Sequence, residues 1–283
     1  MNSVADDSEA RDFLAANPDI EAIELLITDP GGVARGKLVA RDELLSIYTD
    51  GRCVAGSILG LDVTCEDVED TGLVWSVGDA DRLCRPVAGT LKRTPWTGRP
   101  AAQLLMTMFD MDGTPTYADP RHALARSIAA LGPLRPVVAA EIEFYLLARD
   151  ANGRLIPATG LLSGNKQTRL DSYGLGKLDD MSPVFDEIYA AAKAQDLPLR
   201  TLMSEYAPVQ FEITLLHRPD ALRAIDEAIA FKRLIRGVAL RHGLIACFMA
   251  KPFEEQAGSG MHMHVSLQDE SGENVFASDD PAG

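Results

Sequence analysis

Residues Val137 to Leu147 read V-V-A-A-E-I-E-F-Y-L-L, an apolar run with two carboxylates in its middle. Side chains alternate across a β-strand, so Glu141 and Glu143 point to the same side. The opposite side is uninterruptedly apolar, which is typical of a strand that packs on a hydrophobic core. Because two like charges this close repel each other, the acidic face requires a raised pKa, a basic partner or a bound cation.

Two later segments repeat this alternation and place further polar side chains on one face. They are residues 210–215, with Gln210, Glu212 and Thr214 on the polar face, and residues 261–267, with His262, His264 and Ser266. Glu205 precedes Glu212 by a short turn and could reach the same pocket. Four carboxylates and an imidazole suit hard divalent cations such as Mg²⁺ or Mn²⁺, and four negative charges would balance two such ions. Paired cations in turn suggest phosphoryl chemistry.

Zinc is the alternative metal at the histidine strand. The i, i+2 spacing of His262 and His264 on a strand permits a zinc pair. The ligands around them are rich in oxygen and no thiolate is near, which favours Mg²⁺ or Mn²⁺.

Three strings in this sequence together resemble the glutamine synthetase superfamily of ATP-dependent glutamate:amine ligases. They are A-E-I-E-F-Y-L-L, S-E-Y-A-P-V-Q-F-E-I and F-M-A-K-P…G-S-G-M-H-M-H-V-S-L, and they occur in this order. The resemblance extends from about Ile20 to the end of the chain. It implies an α+β fold, with an N-terminal β-grasp domain followed by part of a catalytic α/β domain with a curved sheet. We place the β-grasp domain at 1–112, ordered from about residue 18, and the catalytic part at 113–283.

Local patterns fill in this layout. A D-P-G-G turn predicts a hairpin over residues 20–39, and strand-like runs occur at 72–77 and 103–110. Asp119 and Asp220 are predicted to cap helices, the second of which ends at Gly243. Helices would therefore back one face of the sheet, and the other face would be polar. Residues 158–181 are rich in Gly, Ser, Asn and Asp, and we expect a functional loop there.

The resemblance assigns roles to the polar residues on these strands. It implies that Glu141 and His262 help to hold one cation, and that the other is held by Glu143, Glu205 and Glu212. It places His264 and Ser266 near ATP. The residues alone leave Ser266 open as an ordinary strand hydroxyl bonded to backbone.

The glycine loop, Gly258-Ser259-Gly260, precedes the strand that carries His262 and His264. Its glycines would let the backbone approach a ligand closely. The resemblance implies that Ala257 and Gly258 contact glutamate. Ammonia-using members carry Asn where this chain has Ala257, and their D-G-S-S string reads Ala55-Gly56-Ser57-Ile58 here. Both departures remove polar groups. The resemblance places the Asp of D-G-S-S in the ammonium pocket, and losing that anion weakens the binding of a small hydrated cation and leaves room for a carbon-bearing amine.

The resulting hypothesis is a ligase that joins the γ-carboxylate of glutamate to an organic amine or polyamine through a γ-glutamyl phosphate. One alternative is a glutamine synthetase that uses ammonia, and another is a non-catalytic metal- or nucleotide-binding fragment or sensor. Family members are considerably longer, so this chain resembles a truncated or split version. The resemblance places the catalytic glutamate, another metal ligand and several substrate-binding arginines beyond residue 283, and no catalytic residue is predicted inside the chain.

The charge and cysteine content of the chain limit the classes of partner and the compartment that we expect. The chain has 42 acidic and 27 basic residues, a formal net charge of −15, which argues against nucleic acid or an anionic membrane as a partner. The four cysteines show no C-x-x-C spacing, and the N-terminus lacks an apolar signal region, so we expect a cytoplasmic protein. The expected partners are glutamate and a small amine, with a homo-oligomeric ring if the catalytic domain is complete.

Overall fold

A computed structural model describes residues 5–278, and within it the chain divides into two compact units after Gly132. The helices of the first unit are α1 (Asp7–Ala16), α2 (Leu44–Asp50) and α3 (Pro120–Ala129). Its strands are β1 (Ala22–Thr28), β2 (Ala34–Ala40), β3 (Arg52–Ala55), β4 (Asp81–Pro86), β5 (Lys92–Arg93) and β6 (Ala101–Phe109). The strand order is β2-β1-β6-β4-β3, with β5 also paired to β6.

The hairpin predicted over residues 20–39 is confirmed as β1 and β2, which pair antiparallel. The buried carboxylate of Asp29 holds the turn, because it accepts hydrogen bonds from the Val33 amide at 2.8 Å and the Arg35 Nε at 2.9 Å. The prediction of a strand at residues 72–77 is wrong. Gly72 and Gly78 have left-handed φ values of 67° and 65°, and Trp75–Val77 between them forms a 3₁₀ turn.

Helix α3 is fastened to β6 of the same unit. Asp119 caps the helix by accepting from the Arg121 amide at 2.8 Å, and its other carboxylate oxygen accepts from the Met108 amide at 2.7 Å. A buried histidine, His122, lies 2.9 Å from the carbonyl oxygen of Met108. The compact units therefore divide after Gly132, whereas the family domains predicted from the sequence meet between residues 112 and 113.

The second unit carries the strands with the acidic and imidazole groups. Its strands are β7 (Arg135–Arg149), β8 (Leu155–Pro157), β9 (Leu199–Ser204), β10 (Gln210–Leu215), β11 (Ile245–Cys247) and β12 (Met261–Gln268). Its helices are α4 (Leu175–Asp180), α5 (Ser182–Ala194) and α6 (Ala221–Arg241). The strand order is β11-β7-β10-β9, with β8 and β12 also paired to β7. The long strand β7 thus organises the sheet, and each of its pairings is antiparallel.

The apolar faces of β7 and β10 pack under the helices of this unit. Phe144 and Phe211 are fully buried, with ring centroids 6.2 Å apart. Phe185 of α5 meets Phe211 edge-on at 4.8 Å, and α6 contacts both α5 and β7. The prediction that helices back one face of the sheet is confirmed for these two strands.

Strand β12 departs from that layout. Its apolar side chains are exposed rather than packed, with Met261 at 53%, Met263 at 40% and Val265 at 56% exposure. Among residues 5–278, β12 pairs with β7 and with no other named strand. The last residues of the predicted catalytic part, 279–283, lie outside the described residues. No helix in the described part of the chain combines the length and apolar character needed to cross a lipid bilayer.

Candidate metal site

Strand register brings the predicted ligands into two adjacent rows. Glu143 of β7 lies directly opposite Glu212 of β10. One pleat further along, Glu141 lies opposite His262 of β12. Side chains opposite each other on one face have Cβ atoms about 5 Å apart, so both rows face a common hollow.

Potential ligand atoms gather in two clusters that share one carboxylate. Within each cluster, the ligand atoms all lie within 4.8 Å of one another. The clusters are Glu141, Glu212 and His262, and Glu143, Glu205 and Glu212. The sequence prediction had divided these five residues between two cations without sharing, and the geometry adds Glu212 to the first group. The acidic groups are therefore placed so that they could bind two neighbouring metal ions.

Glu212 is the most buried of these residues, with 5% exposure. Burial, followed by repulsion from the neighbouring carboxylates, Glu141 first, raises the pKa of Glu212 to about 7. A nearby positive charge would stabilise the ionised form of Glu212, and a bound cation would supply that charge.

Glu205 is carried by the tight turn between β9 and β10. Its amide donates to the carbonyl of Gln210 at 2.8 Å, which closes the turn predicted from the sequence. The buried ammonium of Lys177 donates to the carbonyl oxygens of Asp171 at 2.6 Å and Glu205 at 3.2 Å. The loop expected at 158–181, which contains α4, is therefore tied to the turn that carries Glu205. Nothing in the sequence around Lys177 indicates this contact.

The residues expected near ATP differ in their placement. The Nε2 of His264 lies 3.0 Å from one carboxylate oxygen of Glu141, and the Nδ1 of His262 lies 3.5 Å from the other. His264 therefore contacts Glu141 of the first candidate cluster without being one of its members. Ser266 lies opposite Val137, four residues along β12 from His262, which is roughly 13 Å in an extended strand. The structure does not bring Ser266 to the cluster.

A third histidine, His217, lies near His264, and the strand pattern did not predict it. The centroid of the His217 ring is 6.2 Å from that of His264. His217 follows β10, where the alternation that identified the other residues has ended, so no local signal marked it.

The glycine loop lies against the same polar face. The hydroxyl of Tyr145 donates to the Ala257 carbonyl at 2.5 Å, and the Nε2 of Gln210 donates to the Gly258 carbonyl at 2.8 Å. A Cβ on Gly260 would lie 3.0 Å from the Oε1 of Glu143. Glycine at this position therefore keeps the hollow open.

This chain is similar to known proteins over most of its length. Residues 117–283 match the family described as "Glutamine synthetase, catalytic domain". A gamma-glutamylputrescine synthetase, PuuA of Escherichia coli (strain K12), is 39% identical over 275 residues, which cover 95% of this chain and 58% of that protein. A glutamate–isopropylamine ligase of Pseudomonas sp is 31% identical over 281 residues, which cover 97% of this chain and 60% of that protein.

A solved structure, "GmaS/ADP complex-Conformation 1", superposes with a TM-score of 0.80 at 29% identity and covers 100% of this chain and 60% of its own. The mixed α and β fold with curved sheets is thus shared along the chain. The chain spans about 60% of the length of the relatives it matches. On the family match and the structural superposition together, the chain belongs to the glutamine synthetase family.

Proposed function

We propose that this chain is part of an ATP-dependent ligase that joins the γ-carboxylate of glutamate to an organic amine or polyamine. The reaction would pass through γ-glutamyl phosphate, with ADP as the other product. The observation that carries the proposal is the pair of ligand clusters that share Glu212. Both curated relatives described above are named for ligation of an amine to glutamate, although the chain spans only part of their length.

The donor set fits Mg²⁺ or Mn²⁺. Each cluster offers carboxylate oxygens, and the first adds one imidazole nitrogen, which suits hard divalent ions better than zinc. Glu141, Glu212 and His262 would hold one ion, and Glu143, Glu205 and Glu212 the other. When bound, the ions would neutralise the ATP phosphates and align them for in-line transfer.

Residues of the chain would position the substrates around these ions. Ala257 and Gly258 would present backbone groups to glutamate, while Tyr145 and Gln210 hold that loop in place. His264 would orient Glu141 and lie near the nucleotide, with Ser266 further along the same strand. The attacking amine must be deprotonated, and we propose that its base lies outside this chain.

The acceptor is proposed to be a carbon-bearing amine rather than ammonia. Ala257 and the A-G-S-I string at residues 55–58 replace the polar residues of ammonia-using members. Losing an anion at the amine site weakens the binding of a small hydrated cation and leaves space for carbon. A β-grasp fold for the first unit, a cytoplasmic location and a homo-oligomeric ring belong to the same proposal.

Metal binding by this chain is the first test. Titration with MnCl₂ should show two sites in the wild type, and Glu212→Gln should weaken both because the residue is shared. The exposed Glu270→Gln is the matched control and should bind like the wild type. Wild-type affinity in Glu212→Gln would rule out the shared site.

Acceptor choice requires the full-length protein. Glutamate-dependent ADP release should occur with putrescine or isopropylamine and be much slower with ammonia. If ammonia is the better acceptor, the protein is a glutamine synthetase. If no acceptor supports ADP release while Mn²⁺ binds, the non-catalytic alternative holds.

A further inference from the structure

One buried amide side chain joins parts of the proposed site that lie far apart in sequence. Gln210, the first residue of β10, is 1% exposed. Its Nε2 donates to the Oε2 of Glu143 at 3.1 Å and to the Gly258 carbonyl at 2.8 Å. Its Oε1 accepts from the amide of Ala207 at 3.3 Å, in the turn that follows Glu205. The same side chain thus contacts a proposed cation ligand, the glycine loop and the turn of a second ligand.

The contact with Glu143 orients that carboxylate. Gln210 donates to the Oε2 of Glu143, while the Oε1 lies beside Gly260, where a Cβ would be only 3.0 Å from it. A ligand carboxylate that is hydrogen-bonded through one oxygen presents the other in a fixed direction. Oε1 is therefore the oxygen of Glu143 that is available to a cation.

The contacts with the glycine loop use the second hydrogen of the same amide, because Nε2 lies 2.8 Å from the Gly258 carbonyl oxygen and 3.3 Å from the Oγ of Ser259 in the same loop. A neutral amide NH₂ group has two hydrogens in one plane, so a rotation that improves one hydrogen bond moves the other. Because Gln210 is buried, leaving either hydrogen unpaired costs free energy. The position of Glu143 and the position of the loop carbonyl are consequently linked through a rigid group.

We propose that Gln210 is a positioning residue that couples occupancy of the cation cluster to the order of the glycine loop. The inference rests on the proposed function, since it takes Glu143 as a cation ligand and the loop as the glutamate contact. A cation that fixes Glu143 also fixes Gln210 and, through it, the Gly258 carbonyl. Coupling between sites is reciprocal, so a ligand held by the loop tightens cation binding by the same factor.

Tyr145 provides a matched control, because it holds the same loop by a different route. Its hydroxyl has one hydrogen, which it donates to the Ala257 carbonyl. Removing that hydroxyl loosens the loop while the path from Glu143 through Gln210 stays intact. The two residues therefore separate general support of the loop from its response to a cation.

Hydrogen–deuterium exchange of the 283-residue chain tests the coupling, with MgCl₂ as the probe and its saturation established by calorimetry. In the wild type, saturating Mg²⁺ should slow amide exchange in residues 256–260 by about tenfold. Gln210→Met removes both amide hydrogens and keeps a side chain of similar size. We expect it to bind Mg²⁺ about tenfold more weakly and, at saturation, to show no slowing in the loop. Tyr145→Phe should exchange faster in both states and keep the Mg²⁺-dependent slowing.

A second variant keeps the test decisive if Gln210→Met does not fold. Gln210→Glu keeps the acceptor for Ala207 and the side-chain shape, and it should also lose the Mg²⁺-dependent slowing. Full slowing in either folded Gln210 variant would overturn the coupling, as would a wild-type loop that ignores bound Mg²⁺. The absence of Mg²⁺ uptake by the wild type would overturn the proposed cation site as well, and calorimetry reports that outcome separately.

Discussion

Strands β10 and β12 flank the same stretch of β7 and follow the same alternation, yet they lie in different surroundings. The register places Glu141 between Thr214 of β10 and His262 of β12. Five of the six residues of β10 are buried, whereas the first five of the eight residues of β12 are exposed. Strand β10 is also paired with β9, and the apolar face of β10 packs against α5. Strand β12 pairs with β7 alone among the named strands that the structure describes. Alternation therefore predicts which side chains share a face, and it does not predict whether the other face has a packing partner.

The largest expected difference between the two strands is in their contribution to stability. Phe211→Ala on β10 removes a fully buried ring and should lower the free energy of unfolding by about 3–5 kcal/mol. Val265→Ala on β12 removes an exposed side chain and should change it by less than about 0.5 kcal/mol. Urea denaturation followed by circular dichroism measures both values. A cost above about 2 kcal/mol for Val265→Ala would mean that the face of β12 is covered in solution.

The second difference is in cation binding. Glu212 of β10 belongs to both clusters, whereas His262 of β12 belongs to one. Glu212→Gln should therefore weaken Mn²⁺ binding at both sites, on the order of 100-fold or about 2.8 kcal/mol each. His262→Gln should affect one site only, by roughly tenfold, and leave the other unchanged. Calorimetric titration with MnCl₂ resolves the two cases, and equal effects of the two variants would refute the shared carboxylate.

The residues of the cluster could be predicted because they depend on a local period. Strand alternation requires Glu141 and Glu143 to share a face, and it also places Glu212 and His262 on ligand faces of their own strands. The sequence did not predict how these strands pair, and the register shows that β10 and β12 both pair with β7 antiparallel. Glu205 could be predicted because only a short turn separates it from Glu212.

Other features could not be predicted, because they depend on contacts between distant segments. The hydrogen bond from Lys177 to the Glu205 carbonyl joins a helix to a turn that lies 28 residues later in the chain. Gln210 was identified as a polar neighbour of Glu212, but its contact with Gly258 spans 48 residues. The exposure of β12 has the same origin, because burial depends on what packs against a strand and not on its own pattern.

A smaller effect concerns the pH dependence of the metal-free protein. The pKa of Glu212 is raised from 4.5 to about 7 by burial and neighbouring carboxylates. The folded state therefore binds more protons than the unfolded state between these values, so the destabilisation from ionised Glu212 is absent below pH 4.5 and complete above pH 7. Metal-free wild type should lose on the order of 1 kcal/mol of stability between pH 5 and pH 8 relative to Glu212→Gln. Denaturation in EDTA at both pH values measures this, and parallel pH profiles of the two proteins would contradict it.

The smallest expected change in folding stability comes from making the exposed face of β12 polar. Val265→Thr keeps a β-branched side chain on a strand and should alter the free energy of unfolding by less than about 0.5 kcal/mol. An exposed apolar strand face promotes association, so the same substitution should reduce concentration-dependent light scattering of the 283-residue chain. Leu215→Thr on β10 is the control, because that side chain is 3% exposed and the variant should lose stability without gaining solubility. Unchanged scattering in Val265→Thr would show that this face does not mediate association, and the contrast between the two strands would then be one of burial alone.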